Sequence, residues 1–372
     1  MIRLVFYLCF TVAFSFASER PLQVQRLQTA SRQVSAWVWL DGAVSVARGS
    51  LQLKNPLPLA HPELLSADAY GQTLLVPQIG KGKIDYRLIA PSGASLGKFT
   101  LLGDNDLPLP AAQVDPQNRL IYFLQSDGRI SARDYRGRPR WEKHPPRDYV
   151  FTYENTYFSH RNAQRQILFT AYSAPLKSSR GRFDTIIREY NSSGYLIYRE
   201  VLKDLHTLKA VYDDKTRQKL LMVSRQNHTP FSEVLLLDEG NSLLWKKDLS
   251  FRQALFLPDK QILLMQKRVL FLLEGATGKT LHEFRPAAKD LMISDVLYAG
   301  EGDIVVVSGK PFYSAGKLRF ADPTLTVINK RKGGSKQVTL NGRVYLPRAL
   351  YLTEGGEAQI GCRDGLYQIG FR

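Results

Sequence analysis

Glycine-centred turns recur along this chain at a spacing that few architectures tolerate. They fall at Gly49, Gly93, Gly137, Gly194, Gly240, Gly278 and Gly334, roughly 40 to 55 residues apart, the period expected when one four-stranded unit repeats. The clearest copy runs from Leu270 to Phe284, LFLLEGATGKTLHEF. An apolar strand-like run enters a turn built from Glu274, Gly275, Thr277 and Gly278, and a second run leaves it and ends in an aromatic residue. Leu235 to Leu249 repeats the order with Gly240 in the turn and Trp245 at the aromatic position, and Ile130 to Lys143 does so with Gly137 and Trp141. Weaker copies surround Gly93, Gly194 and the pair Gly333-Gly334.

Between these turns each unit opens with a small or apolar strand (AAQVD, QALFLP, DVLYAG, ALYLTE). It then crosses a polar turn into a strongly apolar one (RLIYFLQ, QILLMQ, DIVVVSG, EAQIGC). The runs are short, β-branched or aromatic, and bounded by Gly, Pro and Asp, so they read as strands. No stretch carries the period of an amphipathic helix.

The apolar strand, acidic residue, Thr-Gly-Lys turn and aromatic-ended strand of Leu270 to Phe284 resemble the repeat of the quinoprotein (PQQ-type) β-propellers. The resemblance implies an all-β chain folded as a single β-propeller of four-stranded antiparallel blades. If the segment 28–54 is a blade of its own the count is eight, which is preferred; if it folds into the closing blade the count is seven. RALYLTEGGEAQIGCRDGLYQIGFR supplies three strands and stops where an outermost one is due. Closure by an N-terminal strand, residues 21–27, is therefore expected.

The N-terminus is different in kind. MIRLVFYLCFTVAFSFAS has an early cation, an apolar run from Leu4 to Phe14 and small residues at Ser15 and Ala17, the three parts of a secretory signal peptide. The run is shorter than the ~20 residues of a membrane span. Cleavage after Ala17 would leave residues 18–372 as the propeller, with no transmembrane segment and a periplasmic or secreted location. Cys9 lacks the small residues of a lipoprotein cleavage site before it. Only Cys362 would remain, so no internal disulfide is expected, and the protein is expected to be a monomer.

Charge narrows the partner class. With 51 basic against 34 acidic residues the formal net charge is +17, a field that attracts lipid head groups, acidic polysaccharide or the acidic surface of a protein. Nucleic acid does not suit an exported protein. In a propeller the links between second and third strands, and from blade to blade, share one face. That places Lys81, Lys83, Tyr149, Phe151, Lys177, Arg180, Arg182, Lys310, Phe312, Tyr313 and Lys317 together as a candidate basic and aromatic binding face. Arg136 to Arg140 and Lys330 to Lys336 fall on the opposite turns.

Catalytic-looking strings dissolve on inspection. Gly93-Ala94-Ser95-Leu96-Gly97 spells a nucleophile elbow, but Lys98 to Leu101 continues as a strand where a helix is required. Gly278-Lys279-Thr280 ends like a phosphate loop without its earlier glycine, since Leu273 stands there. The six histidines show no zinc spacing, and Asp104-Asn105-Asp106 reads as a solvated turn rather than a calcium loop. The adjacent cysteines and the calcium set of quinoprotein dehydrogenases have no counterpart, so no cofactor is expected. The resemblance is closer to the non-catalytic propeller of outer-membrane protein assembly. It implies a binding or scaffold module for an anionic envelope component or a protein, with a quinoprotein, lactonase or lyase as the alternative. Carboxylates converging on the central mouth would favour the enzyme; a basic-aromatic rim would favour docking.

Overall fold

The computed structural model describes residues 22–29, 34–39, 43–47, 50–52, 57–58, 65–67, 73–102, 111–125, 127–149, 156–161, 167–175, 183–213, 215–224, 232–300, 302–330, 334–353 and 356–370. The expected leader and the Asp104 to Asp106 turn lie outside these. All regular structure among the described residues is β. Six sheets each hold four consecutive antiparallel strands, over 34–58, 66–102, 111–143, 156–202, 206–247 and 253–284. The seventh sheet has eight strands. One group of four in it is Met292–Tyr298, Asp303–Ser314, Lys317–Asn329 and Ser335–Thr339; the other is Val344–Leu352, Ala358–Cys362, Gly365–Gly370 and Gln23–Thr29. Two pairings, Phe320 with Tyr345 and Ala321 with Val344, join the groups.

Burial explains the strand order. Second strands such as Leu120–Leu124 are buried at every residue, because both faces of the sheet are covered by its neighbours. Fourth strands such as Pro139–Lys143, Leu196–Leu202 and Thr280–Phe284 are mostly exposed or half-buried; they lie outermost, and the first strands turn toward the axis. The core is accordingly split into layers between successive sheets. Ile84, Tyr86 and Phe99 pack on Ile121, Phe123 and Tyr135, and Phe169 and Ile187 pack on Tyr212, Leu221 and Leu235.

The recurrent turn glycine and the recurrent aromatic are one device. The indole nitrogen of Trp141 donates to the carbonyl of Ser192 at 2.8 Å, and its ring lies so close to Gly194 that a Cβ there would sit 2.6 Å from Cγ. Trp245 repeats this against Gly278, where a Cβ would come within 2.7 Å of Cδ2. Both glycines also have positive φ, 82° and 71°, which L side chains adopt only with strain. Trp141 and Trp245, each at the end of one sheet, are thus seated on the turn of a following one, whereas Gly240 and Gly334 carry no such ring.

Closure follows the expected route with a shifted boundary: Gln23–Thr29, rather than 21–27, pairs antiparallel with Gly365–Gly370. Arg26 reinforces the pairing, 3.5 Å from the Asp364 carboxylate and 5.7 Å above the Tyr367 ring. Within the segment 28–54 the strands Val34–Trp39, Ala43–Ala47 and Ser50–Leu51 appear, and Leu57–Pro58 completes their sheet. Ser95 opens the strand Ser95–Leu102, so the elbow geometry is absent. Gly278 closes a hairpin turn by donating to the Glu274 carbonyl at 2.8 Å.

Candidate functional site

The two longest strands, Asp303–Ser314 of 12 residues and Lys317–Asn329 of 13, form a hairpin that outgrows its sheet. Their register breaks between Ser308 and Lys310, and Asp322 opposite takes a φ of 47°, a bulge that bends the strand pair. Beyond the break, Lys310 to Ser314 pair with Ala321 to Lys317, and the arm so formed is braced on the next strand group through Phe320 and Tyr345. Ala315 and Gly316, both at positive φ, make the tight turn such a hairpin needs. The arm displays Phe312, 36% exposed, and Tyr313, 77% exposed. Lys310 lies 3.7 Å from Asp290.

The other strand of the arm borders a cavity of about 960 Å³. Lys317, Leu318 and Arg319 form one wall, and first strands supply the rest through Ser35 to Trp39, Leu297, Tyr298 and Leu346 to Leu352. Leu65 and Arg252, each just before a first strand, complete it. Four cations, Arg252, Lys317, Arg319 and Arg348, therefore line a space whose remaining described walls are, apart from Ser35, aliphatic and aromatic. Trp39 stacks on Tyr351 with ring centroids 5.0 Å apart. Burial and the Asp295 charge push the Tyr351 hydroxyl up, so it stays protonated at neutral pH.

Two arginines are positioned by their surroundings. Arg319 donates from Nη2 to the carbonyl of Ser35 at 3.2 Å; burial and neighbouring Arg363 lower its pKa, yet a guanidinium remains charged at any physiological pH. Arg348 sits in a bulge where five steps along Val344–Leu352, from Tyr345 to Leu350, face only two on its partner, Cys362 to Ile360. Its φ is 67°, a left-handed conformation that costs a bulky residue about 1–3 kcal/mol. Asp295 holds it there. Oδ2 of Asp295 accepts from the Arg348 backbone N–H at 3.2 Å, the Tyr345 hydroxyl at 2.9 Å and the Ser294 hydroxyl at 2.6 Å.

Of the residues expected on the binding face, Lys310, Phe312, Tyr313 and Lys317 are brought together on the arm. Lys81 and Lys83 are exposed on a separate hairpin turn; Lys83 lies 3.7 Å from Asp85, whose carboxyl the Thr100 hydroxyl holds below its usual range. Tyr149 has a different role. Its hydroxyl donates to Asp184 at 3.0 Å and its ring packs against the cluster around Tyr122 and Tyr172, so it fastens a linker rather than presenting a ring. Phe151, Lys177, Arg180 and Arg182 lie outside the described residues. Arg252, Arg319 and Arg348 were not expected. A cation inside a first strand, as in YLPRALYL, is the signal that would have pointed to the axis.

No family model matches the chain, and no curated protein does. Among solved structures it is similar to BamB from Moraxella catarrhalis, at 13% sequence identity and a TM-score of 0.55, covering 93% of this chain and 98% of that one. The C-terminal WD40 domain of Sif2 aligns at 10% identity with a TM-score of 0.52 over 94% of this chain and 98% of that one. A eukaryotic initiation factor structure aligns at 10% identity, TM-score 0.51, over 88% and 90%. These likenesses define the class as a β-propeller. At such identities they carry the fold and nothing finer.

Proposed function

We propose that this chain is an exported, non-catalytic propeller of quinoprotein-type repeats that acts as a binding or scaffold module, docking the acidic surface of a partner protein or an anionic envelope component. One observation carries the reading: the braced arm Lys310 to Lys317 projects two aromatic rings among cations. Bracing lowers the ordering cost of binding, and exposed aromatics beside basic residues are the composition that interface cores favour. By strand order Lys81, Lys83, Phe151, Lys177, Arg180 and Arg182 share its face and extend the positive field. The cavity behind the arm offers charges and rings to hold a ligand.

The test compares charge reversal on the two ends. Envelope extract is passed over immobilised wild type, Lys310→Glu/Lys317→Glu and Arg136→Glu/Arg138→Glu at two salt concentrations. Retention should fall with salt and fall further for the arm variant, while the opposite-face variant behaves as wild type. Equal retention by both variants, or the larger loss from Arg136 and Arg138, would remove this face as the site.

A further inference from the structure

The central cavity shares Lys317, Leu318 and Arg319 with one strand of the arm and is otherwise lined by first strands and the residues just before them. Its volume of about 960 Å³ is within the range that encloses a drug-sized ligand. Its described lining is one-signed in charge, with Arg252, Lys317, Arg319 and Arg348 and no acidic residue. Asp295, on the strand that supplies Leu297 and Tyr298, is turned to the backbone of Arg348 and to the Tyr345 and Ser294 hydroxyls, so it fixes the bulge. Apolar side chains such as Leu297, Leu350 and Leu352, with the Trp39–Tyr351 stack, fill the space between the cations.

Arg252, Arg319 and Arg348, set in an apolar wall, make the space favourable to an anion. The positive φ of Arg348 shows that its backbone is held, at a cost, in the form that brings it to the space that Arg319, bonded to Ser35, also lines. Strain of this kind persists where surroundings over-determine it, and bulges of this kind re-aim a side chain. A small inorganic anion would satisfy the guanidinium groups and leave the aliphatic and aromatic wall wet; a neutral apolar ligand would leave the charges of Arg319 and Arg348 without a counter-charge in the described lining. We propose that the cavity binds a small amphipathic anion, one carboxylate, sulfonate or phosphate group on an apolar body, with Arg319 and Arg348 pairing the anionic group and the Trp39–Tyr351 wall covering the body. Asp295 acts here as a positioning residue. The proposal does not depend on the arm docking a protein.

The probe is anilinonaphthalene sulfonate, followed by its fluorescence on the full mature chain, with decanoate, decyl phosphate, decanol and inorganic phosphate as competitors. One saturable site is expected, displaced by decanoate or decyl phosphate and not by decanol or inorganic phosphate; which of the two displaces better identifies the head group. Arg319→Gln should weaken binding at least about tenfold, as for loss of a charge-assisted bond. Arg348→Gly removes the same charge while relieving the backbone, so it should weaken binding to a similar degree with an unchanged or raised melting temperature. Asp295→Asn should weaken binding less than either arginine change, and Lys310→Glu/Tyr313→Ala on the outer arm should leave it unaltered. Unchanged affinity in Arg348→Gly, displacement by decanol as good as by decanoate, or an equal loss from the outer-arm variant would overturn the assignment.

Discussion

The indole nitrogen of Trp245 donates a 2.8 Å hydrogen bond to the carbonyl oxygen of Gly275, across the boundary between the 206–247 and 253–284 sheets. Trp245 is 7% exposed and covers the positive-φ turn at Gly278. Trp245→Ala should therefore cost about 3–5 kcal/mol in urea denaturation, and Trp245→Phe, which keeps a ring but loses the donor, about 1–2 kcal/mol. Trp141 is only half-buried and its alanine variant should lose less. A cost below about 1 kcal/mol for Trp245→Ala would mean that the seating of one sheet on the next is not what holds the layers together.

The N-terminal strand is a second structural prediction. Gln23–Thr29 is exposed along its whole length and contributes mainly main-chain pairing to Gly365–Gly370. Deleting residues 18–33 should uncover that edge and yield oligomers or a sharply lower melting temperature. Light scattering with thermal denaturation measures both; a monomer that melts like the undeleted chain contradicts the closure.

Glu189 and Lys219 are both fully buried and 3.5 Å apart, with Arg217 2.8 Å from the same carboxylate. Burial lowers the Lys219 pKa and the Glu189 charge opposes that shift. Breaking such a pair leaves a buried charge under-compensated, so Lys219→Met should cost about 3–5 kcal/mol. The double variant Glu189→Gln/Lys219→Met should recover a substantial part. A double variant no more stable than the single, by chemical denaturation, would show that the lysine stem and its bond to the Glu239 carbonyl, 2.9 Å long, matter more than charge pairing.

The repeat was legible because its two signals are local and chemically unusual. A turn that needs a positive-φ glycine and an aromatic that must fit over it are both written within a few residues, and Gly194 with Trp141 or Gly278 with Trp245 show them meeting in space. The arm was half legible: Phe312, Tyr313 and their lysines could be assigned to a face from strand order. Tyr149 was assigned to the same face by the same rule, but its hydroxyl partner, Asp184, lies 35 residues on and no local pattern announces it. The cavity was not legible. Arg252 precedes one strand, Arg319 lies near the start of another and Arg348 sits inside a third, and the bulge that holds Arg348 is a register difference between two strands, which periodicity along one strand does not encode.

Alkaline pH should unfold the protein. Burial raises the hydroxyl pKa values of Tyr122, Tyr345 and Tyr351, and it pushes those of Tyr198 and Tyr367 up to about 12. Each folded value lies above the unfolded value near 10, so the native state keeps protons that the unfolded chain gives up. This contribution is complete below pH ~10 and is lost as pH rises further, by up to about 1.4 kcal/mol per pH unit for each fully buried hydroxyl. Tyrosinate absorbance should then rise together with loss of the circular dichroism signal. Full ionisation near pH 10 with native dichroism intact would contradict it.

The docking claim is tested most directly by matched photocrosslinkers at the two ends of the propeller. Tyr313 on the arm is 77% exposed, and Tyr195, in a turn that strand order places on the opposite face, is 73% exposed. A benzophenone amino acid is introduced at one or the other position of the full chain, and the cells that express it are irradiated. A discrete adduct from position 313, weakened by Lys310→Glu/Lys317→Glu and absent from position 195, is the predicted result. Adducts from position 195 alone, or equal adducts from both positions that ignore the charge reversal, would contradict the arm as the docking surface.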